Sequence, residues 1–432
     1  MSDIISPRVL KGFRDALPAL EISRKEIQRS LEKSFENFGF VPIDTPALEY
    51  REVLLGKGGG ETDKQVYSFQ DHGGRDVAMR FDLTVPFARF MAAHAAELVL
   101  PFKRYHIAKV WRGENTQRGR YREFYQCDFD IVGTDCAAAD FEILFMIKNS
   151  LEKLGVRGFR IHLAHRGIFN AFLEKLGLEQ EGVEILRTVD KLPKVGEDKV
   201  MELLEPLTGS DKGALILKYI RAEKTPAQTL EKLTNLVGEN DPSLQRITEL
   251  FRLVEQTEIE DRVILDPAIT RGLDYYTGVV YETFLTELPE LGSVCSGGRY
   301  NNLAGLYTRQ ELPGVGASIG LDRLLAGLEE LDRLSGKETT TRVLVFNMDD
   351  HLMGHYFYLA QELRNQDIGS EIFLESKKIN KQFQFAERKG IPWALICGDE
   401  EKKAGKVNLK NLVTRDSHEA ITLAEAVAIL NK

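Results

Sequence analysis

The chain has 432 residues, 43% of them hydrophobic, enough to bury a large core divided among two or three domains. Its formal net charge of −9 has the wrong sign for a protein that coats nucleic acid without selection, since such proteins work by neutralising phosphates. The N-terminus, MSDIISPRVLKGF, has no long apolar run and no later stretch approaches the roughly 18 apolar residues of a membrane span, so no membrane association and a cytoplasmic location are expected.

In chain order, residues from about Leu20 to Phe38 place Ile22, Ile27, Leu31, Phe35 and Phe38 near helical spacing, which predicts a helix packed on a core. FGFVPIDTPALEY then reads as a turn into a strand ended or bent by Pro46. The glycine-rich LLGKGGGETDK reads as a flexible lid or a surface turn; the Walker pattern is absent. PFKRYHIAKVWRG and REFYQCDFDIVG read as two antiparallel strands joined by a mobile loop, ENTQRGRY. From about Ala171 to Gln256 the chain is rich in Leu and Glu with little strand signal, which predicts a helical insertion following an α/β segment near FRIHLAHR. ILDPAI, YTGVVYETF and GSVCSGGRY add strands, and GVGASIGLDRLLAGLEEL passes from strand to helix.

These elements predict an α+β domain with a mixed, largely antiparallel sheet over 1–170 and 257–331, interrupted by a helical insertion at 171–256. The polar run DRLSGKETTT makes 332–340 a linker, and alternating strand and helix patterns over 341–432 predict a small α/β domain with a mostly parallel sheet. Cys127, Cys136, Cys295 and Cys397 are scattered without a Cys-x-x-Cys pair, which suggests neither a disulfide framework nor a zinc site.

Four arginines, Arg112, Arg118, Arg120 and Arg122, lie across the strand-loop-strand segment, within a stretch from Pro101 to Gln126 holding seven Lys or Arg against two Glu. Guanidinium groups suit phosphate oxygens through paired, charge-retaining hydrogen bonds, although salt bridges to Glu114 and Glu123 would account for them equally. Asp128 and Asp130 alternate with Cys127, Phe129 and Ile131, so with the apolar set inward the acids and Gln126 share the other face, suited to a cationic or hydrogen-bonding ligand or simply to water. Asp82 and Thr84 in AMRFDLTVPFAR read as the same strand pattern. Arg271 beside Gly272 and Asp274-Tyr275-Tyr276, and Cys295-Ser296-Gly297-Gly298-Arg299-Tyr300, each combine a close backbone turn with an arginine and an aromatic; a planar ligand or a packed turn would explain either. Gly316, Gly320 and Arg323 stand where a strand meets a helix, and GASIG matches the bare nucleophile-elbow pattern around Ser318 without an acid and histidine in matching order.

Taken in order, these segments resemble the histidyl-tRNA synthetases over nearly the whole chain. RGLDYYTG and GGRY are similar to the two histidine-recognition signatures of that family, RGENTQRGRYREFYQ to the class II motif 2 loop, GASIGLDRL to its motif 3, and the segment from about 21 to 48 to the dimer-forming motif 1. The resemblance implies ATP-dependent ligation of L-histidine to tRNA(His) through histidyl-adenylate, a homodimer, and Mg2+ arriving with ATP. It implies catalytic roles for Arg271 and Arg112 at the reacting carboxylate and α-phosphate, and an ATP site of Arg112, Glu114, Arg120, Phe124 and Arg323. It implies a histidine site in which Asp82, Thr84 and Gln126 meet the α-amino group, Asp130 and Tyr276 read the imidazole, and Arg271, Tyr275 and Tyr300 complete the pocket. The region from 341 resembles the family's anticodon-binding module. Asp82 and Asp130 stand where many bacterial members have glutamate and match the eukaryotic form, and Asn301-Asn302 replace a commoner Asp-Gly.

The strongest competing resemblance is to the noncatalytic, synthetase-like regulatory subunit of ATP phosphoribosyltransferase, which typically lacks the C-terminal module. A nucleic-acid-binding scaffold, or a ligase for another amino acid, fits the acidic charge or the RGLDYY and GGRY pair less well.

Overall fold

Helix α1, Pro18–Asn37, forms where apolar residues recur at helical spacing, and its Ile27, Leu31 and Phe35 are buried. The structure is a computed structural model that describes residues 4–56, 65–269 and 275–432. It separates into two compact units, one holding the residues up to Arg14 with Ile27–Arg333, the other Asp15–Glu26 with Leu334–Lys432. The glycine-rich segment 57–64 and Arg271 to Asp274 lie outside the described residues.

In the first unit, β1 (Val41–Pro42) ends on a proline, β2 (Leu48–Tyr50) begins shortly after Pro46, and α2 (Arg51–Leu55) follows at once. β3 (Ser68–Gln70) and β4 (Asp76–Met79) pair with β2 in a small sheet of order β2-β4-β3. After α3 (Thr84–His94) come the two long strands β5 (Phe102–Trp111) and β6 (Glu123–Val132), then α4 (Ala137–Lys153), β7 (Phe159–His165) and α5 (Arg166–Leu176). The Leu- and Glu-rich stretch is helical as expected: α6 (Gly182–Val189), α7 (Leu192–Val195), α8 (Glu197–Thr208), α9 (Ser210–Ile220), α10 (Pro226–Val237) and α11 (Pro242–Gln256). Two of these show proline-led starts with true caps, Thr225 and Asp241 accepting backbone N–H groups of the first turns of α10 and α11. β8 (Val263–Leu265), β9 (Val279–Leu285), β10 (Cys295–Arg299), β11 (Gly314–Gly320) and α12 (Leu321–Glu330) complete the unit.

The main sheet has the order β1-β5-β6-β11-β10-β9-β7-β8. Its five inner pairs are antiparallel, while β1 and β8 add at the edges in parallel, giving the mixed, largely antiparallel sheet expected. One face is covered by α1 and α4: the Phe35 ring packs at a tilt, its centroid 5.0 Å from that of Phe129 and 5.6 Å from that of Tyr105, and the Tyr281 hydroxyl donates to the Asp140 carbonyl at 2.9 Å. The opposite face carries the polar residues discussed below.

In the second unit, β12 (Val343–Val345), α13 (Met353–Arg364), β13 (Ser370–Ile372), α14 (Ile379–Arg388), β14 (Trp393–Ile396), α15 (Asp399–Ala404), β15 (Val407–Asn411), β16 (Ser417–Ile421) and α16 (Leu423–Leu430) form an α/β module. Its sheet runs β13-β12-β14-β15-β16. The expectation of a mostly parallel sheet is corrected here: β12 pairs in parallel with β13 and β14, but β14-β15 and β15-β16 are antiparallel. Beyond PWALICG the chain no longer has a crossover helix between parallel strands and closes with a hairpin instead.

Candidate active site

Side chains two apart along a strand share a face, so β6 presents Gln126, Asp128 and Asp130 together. Register places Arg104 and His106 of β5 opposite Asp130 and Asp128, and Gly316 and Ser318 of β11 opposite the same two acids on the other side. This face is not a solvated one: Asp128 and Asp130 are each 2% exposed. Glycines on β10 and β11 let it close. A Cβ at Gly316 would lie 2.0 Å from Asp130 Oδ1, one at Gly314 2.4 Å from the Tyr300 ring, one at Gly297 2.2 Å from the Gly316 carbonyl oxygen, and one at Gly298 2.7 Å from the Val279 carbonyl oxygen.

Asp130 is held on both sides. The Tyr300 hydroxyl donates to Oδ1 at 2.5 Å, and Arg104 Nη2 lies 2.7 Å from Oδ2 as a charge contact. Arg104 is fully buried, with its guanidinium 4.2 Å over the Phe87 ring. Sequence reasoning missed this arginine; the detectable signal was its position on an inward-facing row, in hairpin register with Asp130.

Asp82 and Thr84 are not on a strand, contrary to the alternating pattern: β4 ends at Met79 and α3 begins at Thr84. Asp82 instead accepts the Val85 backbone N–H at 3.1 Å, satisfying a first-turn donor of α3, while its other oxygen accepts the Tyr275 hydroxyl at 3.2 Å. Pro86 after Thr84 suits a helix start, which explains why the alternation misled. Tyr275 packs edge-on against Tyr276 at 5.1 Å and Tyr300 at 6.1 Å. Asp82, Thr84, Asp130, Tyr275, Tyr276 and Tyr300 are thus one cluster. Gln126 donates to Ser318 Oγ at 2.9 Å along the same face. Ser318 sits inside β11, not on a strand-to-helix turn, so the nucleophile-elbow pattern has no structural counterpart.

Burial pushes the carboxyls of Asp82, Asp128 and Asp130 upward, with Arg104 opposing in all three and Arg112 also opposing at Asp82. Asp128 is driven up to about 7, where burial dominates and Asp130 and Asp82 add repulsion. A carboxyl whose folded value lies above its ordinary one loses stability on ionising, from the ordinary range up through about 7, and the cost is constant beyond. Ligand-free Asp128→Asn is therefore expected to be more stable than the parent, with a gain larger at pH 8 than at pH 5 by roughly 1–3 kcal/mol. Urea unfolding at the two pH values checks this; an equal difference at both would contradict the shifted carboxyl.

The arginine group lies at the other end of the same face. Arg112 donates from Nε to the Phe81 carbonyl at 2.8 Å, which places it next to Asp82; its guanidinium is 5.3 Å from the Phe124 ring and 3.9 Å from Glu114. Arg120 reaches Glu114 at 4.0 Å. Arg323, at the start of α12, donates to the Ser293 carbonyl, and burial followed by the charge of Arg120 lowers it to about 10, with Arg112 adding and Glu114 and Glu282 opposing. Cations held together against their own repulsion can attract a polyanion.

The other loop arginines point elsewhere. Arg118 pairs with Glu330 at 2.8 Å and Arg122 donates to the Glu114 carbonyl at 3.2 Å. Glu123, expected as a partner of the arginines, binds Lys109 and the Trp111 indole N–H at 2.8 and 2.9 Å instead. The loop is tied across its ends: Gln117 and Arg120 exchange backbone hydrogen bonds around a two-residue turn in which Gly119, with φ of +67°, takes the left-handed position, and a Cβ there would lie 3.2 Å from the Arg323 Cα. Arg14 covers it, 3.9 Å over the Tyr121 ring and 2.6 Å from Asp322, a contact the sequence did not announce.

The Asn301 substitution has a physical account. Arg299, paired with Asp140 at 2.8 Å, donates to Asn301 Oδ1 at 3.1 Å while Asn301 Nδ2 donates to Asp135 at 2.9 Å. An aspartate there would set a second carboxylate against Asp135. Among the described residues no group of three or more His, Cys, Asp or Glu is placed to hold a metal, and all four cysteines are unpaired.

A buried cluster of acids and tyrosines and a group of arginines on one face of a mostly antiparallel sheet, with a second α/β module, have the architecture of a class II aminoacyl-tRNA synthetase. Residues 12–324 match the sequence model of histidyl-tRNA synthetase, and residues 342–432 that of the anticodon binding domain. A histidine–tRNA ligase of Treponema denticola is 52% identical, covering 99% of this chain and 98% of its own length, and one of Rhodopirellula baltica is 47% identical over 96% of each. The crystal structure of histidyl-tRNA synthetase from Nostoc sp. PCC 7120 superposes with a TM-score of 0.89 at 31% identity over 99% of both chains. The chain belongs to the histidyl-tRNA synthetase family.

Proposed function

We propose that this chain joins L-histidine to tRNA(His) in two steps at the site just described. A histidine carboxylate oxygen attacks the α-phosphorus of ATP and diphosphate leaves; a hydroxyl of the terminal ribose of the transfer RNA then attacks the adenylate carbonyl and AMP leaves. The observation that carries the reading is the adjacency of the acidic cluster and the arginine group, bridged by Arg112 on the Phe81 carbonyl beside Asp82. A ring-bearing amino acid with its α-ammonium group suits the acidic lobe and a polyphosphate the arginine lobe, so the carboxylate and the α-phosphate meet near Arg112.

Arg112 and Arg271 are assigned to the reacting groups, Arg323 and Arg120 to the phosphates, and Glu114 and Phe124 to the adenine. Asp82, Thr84 and Gln126 are assigned to the α-amino group, with Asp130, Tyr275, Tyr276 and Tyr300 around the side chain. Mg2+ would be held chiefly by the ATP phosphates, neutralising their charge; Glu114 and Glu282, the acids within reach of Arg323, are too few for a protein cage and fit an ion that arrives with its nucleotide. We assign catalysis to 1–170 and 257–331, an insertion to 171–256, a linker to 332–340 and anticodon binding to 341–432. A cytoplasmic homodimer completes the reading. The half-exposed apolar Val41, Leu48, Tyr50 and Phe69 favour the dimer, and no described helix is long and apolar enough to cross a membrane. Relatives named as ligases over almost their whole length weigh against the regulatory-subunit alternative.

The test is exchange of labelled pyrophosphate into ATP, with each amino acid in turn. Exchange with histidine alone, abolished in Arg271→Ala, is the expected result; folded protein without exchange in the presence of magnesium would refute the activation step.

A further inference from the structure

Tyr276 and Tyr300, assigned above to the substrate side chain, sit in segments gripped from behind by the helices at the two ends of the insertion. α5 leads into the insertion and α11 closes it. Arg166 opens α5, donating from Nη1 to the Tyr276 carbonyl at 3.1 Å and from its backbone N–H to the Gly278 carbonyl at 2.9 Å. The next residue, Gly167, faces α11: a Cβ there would fall 2.1 Å from Ser243 Oγ. About one turn further along α11, Arg246 donates from Nη1 to Asp140 Oδ2 at 2.8 Å and from Nη2 to Asp135 Oδ1 at 2.9 Å.

Asp140 is fully buried and shared between two cations. Its Oδ1 accepts Arg299 Nε at 2.8 Å, and Arg299 Nη1 lies 3.3 Å from Asp135 Oδ1. Two arginines and two aspartates therefore form a closed set in which the place of each charge depends on the others. Arg299 immediately precedes Tyr300, and its carbonyl accepts the Thr277 N–H at 2.8 Å. Gly278 packs on the same side chain, where a Cβ would lie 3.2 Å from Arg299 Cβ. The two tyrosine-bearing segments are thus joined to each other, one to α5 through Arg166 and one to α11 through Arg299, Asp140 and Arg246.

We propose that Arg166 and Arg246 are positioning residues for the amino-acid pocket, setting Tyr276 and Tyr300 from the two ends of the insertion. This rests on the histidine-ligase reading and adds to it where the pocket gets its shape. Without Arg246, Asp140 is left to Arg299 alone and the closed set opens, so Arg299 and the Tyr300 that follows it lose their fixed place. Without Arg166, the Tyr276 carbonyl loses its side-chain donor while the backbone bond to Gly278 remains. The arginine group of the phosphate lobe is held by other partners, Phe81, Ser293 and Glu114, so the effect falls on the amino acid and spares ATP.

Pyrophosphate exchange by the full chain, with histidine and ATP varied separately, tests it on the parent, Arg166→Met, Arg246→Ala, Arg246→Lys and Leu244→Ala. Arg166→Met and Arg246→Ala are each expected to raise the KM for histidine by about 10-fold and to leave the KM for ATP within about twofold. Arg246→Lys should recover part of the loss, because it restores the charge without the two-pronged contact. Its side chain is 22% exposed, so a change at Arg246 is one the fold accommodates. Leu244, buried on the same helix and outside the charge set, controls for loosening of α11 alone; its variant should keep the histidine KM within about twofold of the parent. A histidine KM within about twofold of the parent in either Arg166→Met or Arg246→Ala, an equal rise in the ATP KM, or an equal rise in Leu244→Ala overturns the inference. A parent inert with every amino acid overturns the ligase reading itself, whereas an active parent with unaffected arginine variants overturns only the positioning role.

Discussion

Arg112→Ala is expected to lower histidine-dependent pyrophosphate exchange by roughly 100- to 1,000-fold, the loss typical of removing one fixed charge-stabilising donor from a reacting centre. The argument is positional. Arg112 is aimed by its Nε bond to the Phe81 carbonyl and flanked by Phe124, and it stands between the acids that attract the amino acid and the cations that attract the phosphates. Its side chain remains about a quarter exposed, so truncation should cost little stability. Arg112→Lys should recover only part of the loss, because a point charge cannot reproduce a planar, two-donor contact. Exchange rates read beside thermal unfolding check both statements; a rate for Arg112→Ala within about threefold of the parent would remove it from the reacting centre.

Arg104→Met is expected to destabilise the fold by about 3–5 kcal/mol, the usual consequence of stripping the partner from a buried charge. Arg104 opposes the burial that pushes up both Asp128 and Asp130, and without it both carboxyls move further toward the neutral form. Adding Asp130→Asn to Arg104→Met should recover a large part of the loss, since the uncompensated carboxylate is then gone. Urea unfolding of the single and double variants measures this. A double variant less stable than Arg104→Met would show that the arginine acts through packing on Phe87 and not through charge.

Much of this architecture was legible because it is periodic. β5 and β6 were readable from paired polar and apolar positions, and the helical stretch from its leucines. The same periodicity failed at Asp82 and Thr84, where alternation over five residues cannot distinguish a strand from a helix start capped by its own aspartate. Nor does it distinguish the surroundings of Asp128 from those of Asp130, because both lie on the same face of one strand and their partners are far away in sequence, Tyr300 being 170 residues from Asp130. Arg104 was hidden for a related reason. A basic residue on a strand is ordinarily an exposed one, and only the pairing with β6 reveals that this one is interior.

The glycines of β10 and β11 bear on how this sheet can vary over generations. At Gly297, Gly298, Gly314 and Gly316 the first carbon of any side chain would fall within 2.2, 2.7, 2.4 and 2.0 Å of atoms already in place. Three of those four obstacles are backbone or ring atoms that cannot swing aside. Neutral drift at these codons is therefore closed off residue by residue, and change in ligand preference must come from the facing strand, where the acids stand.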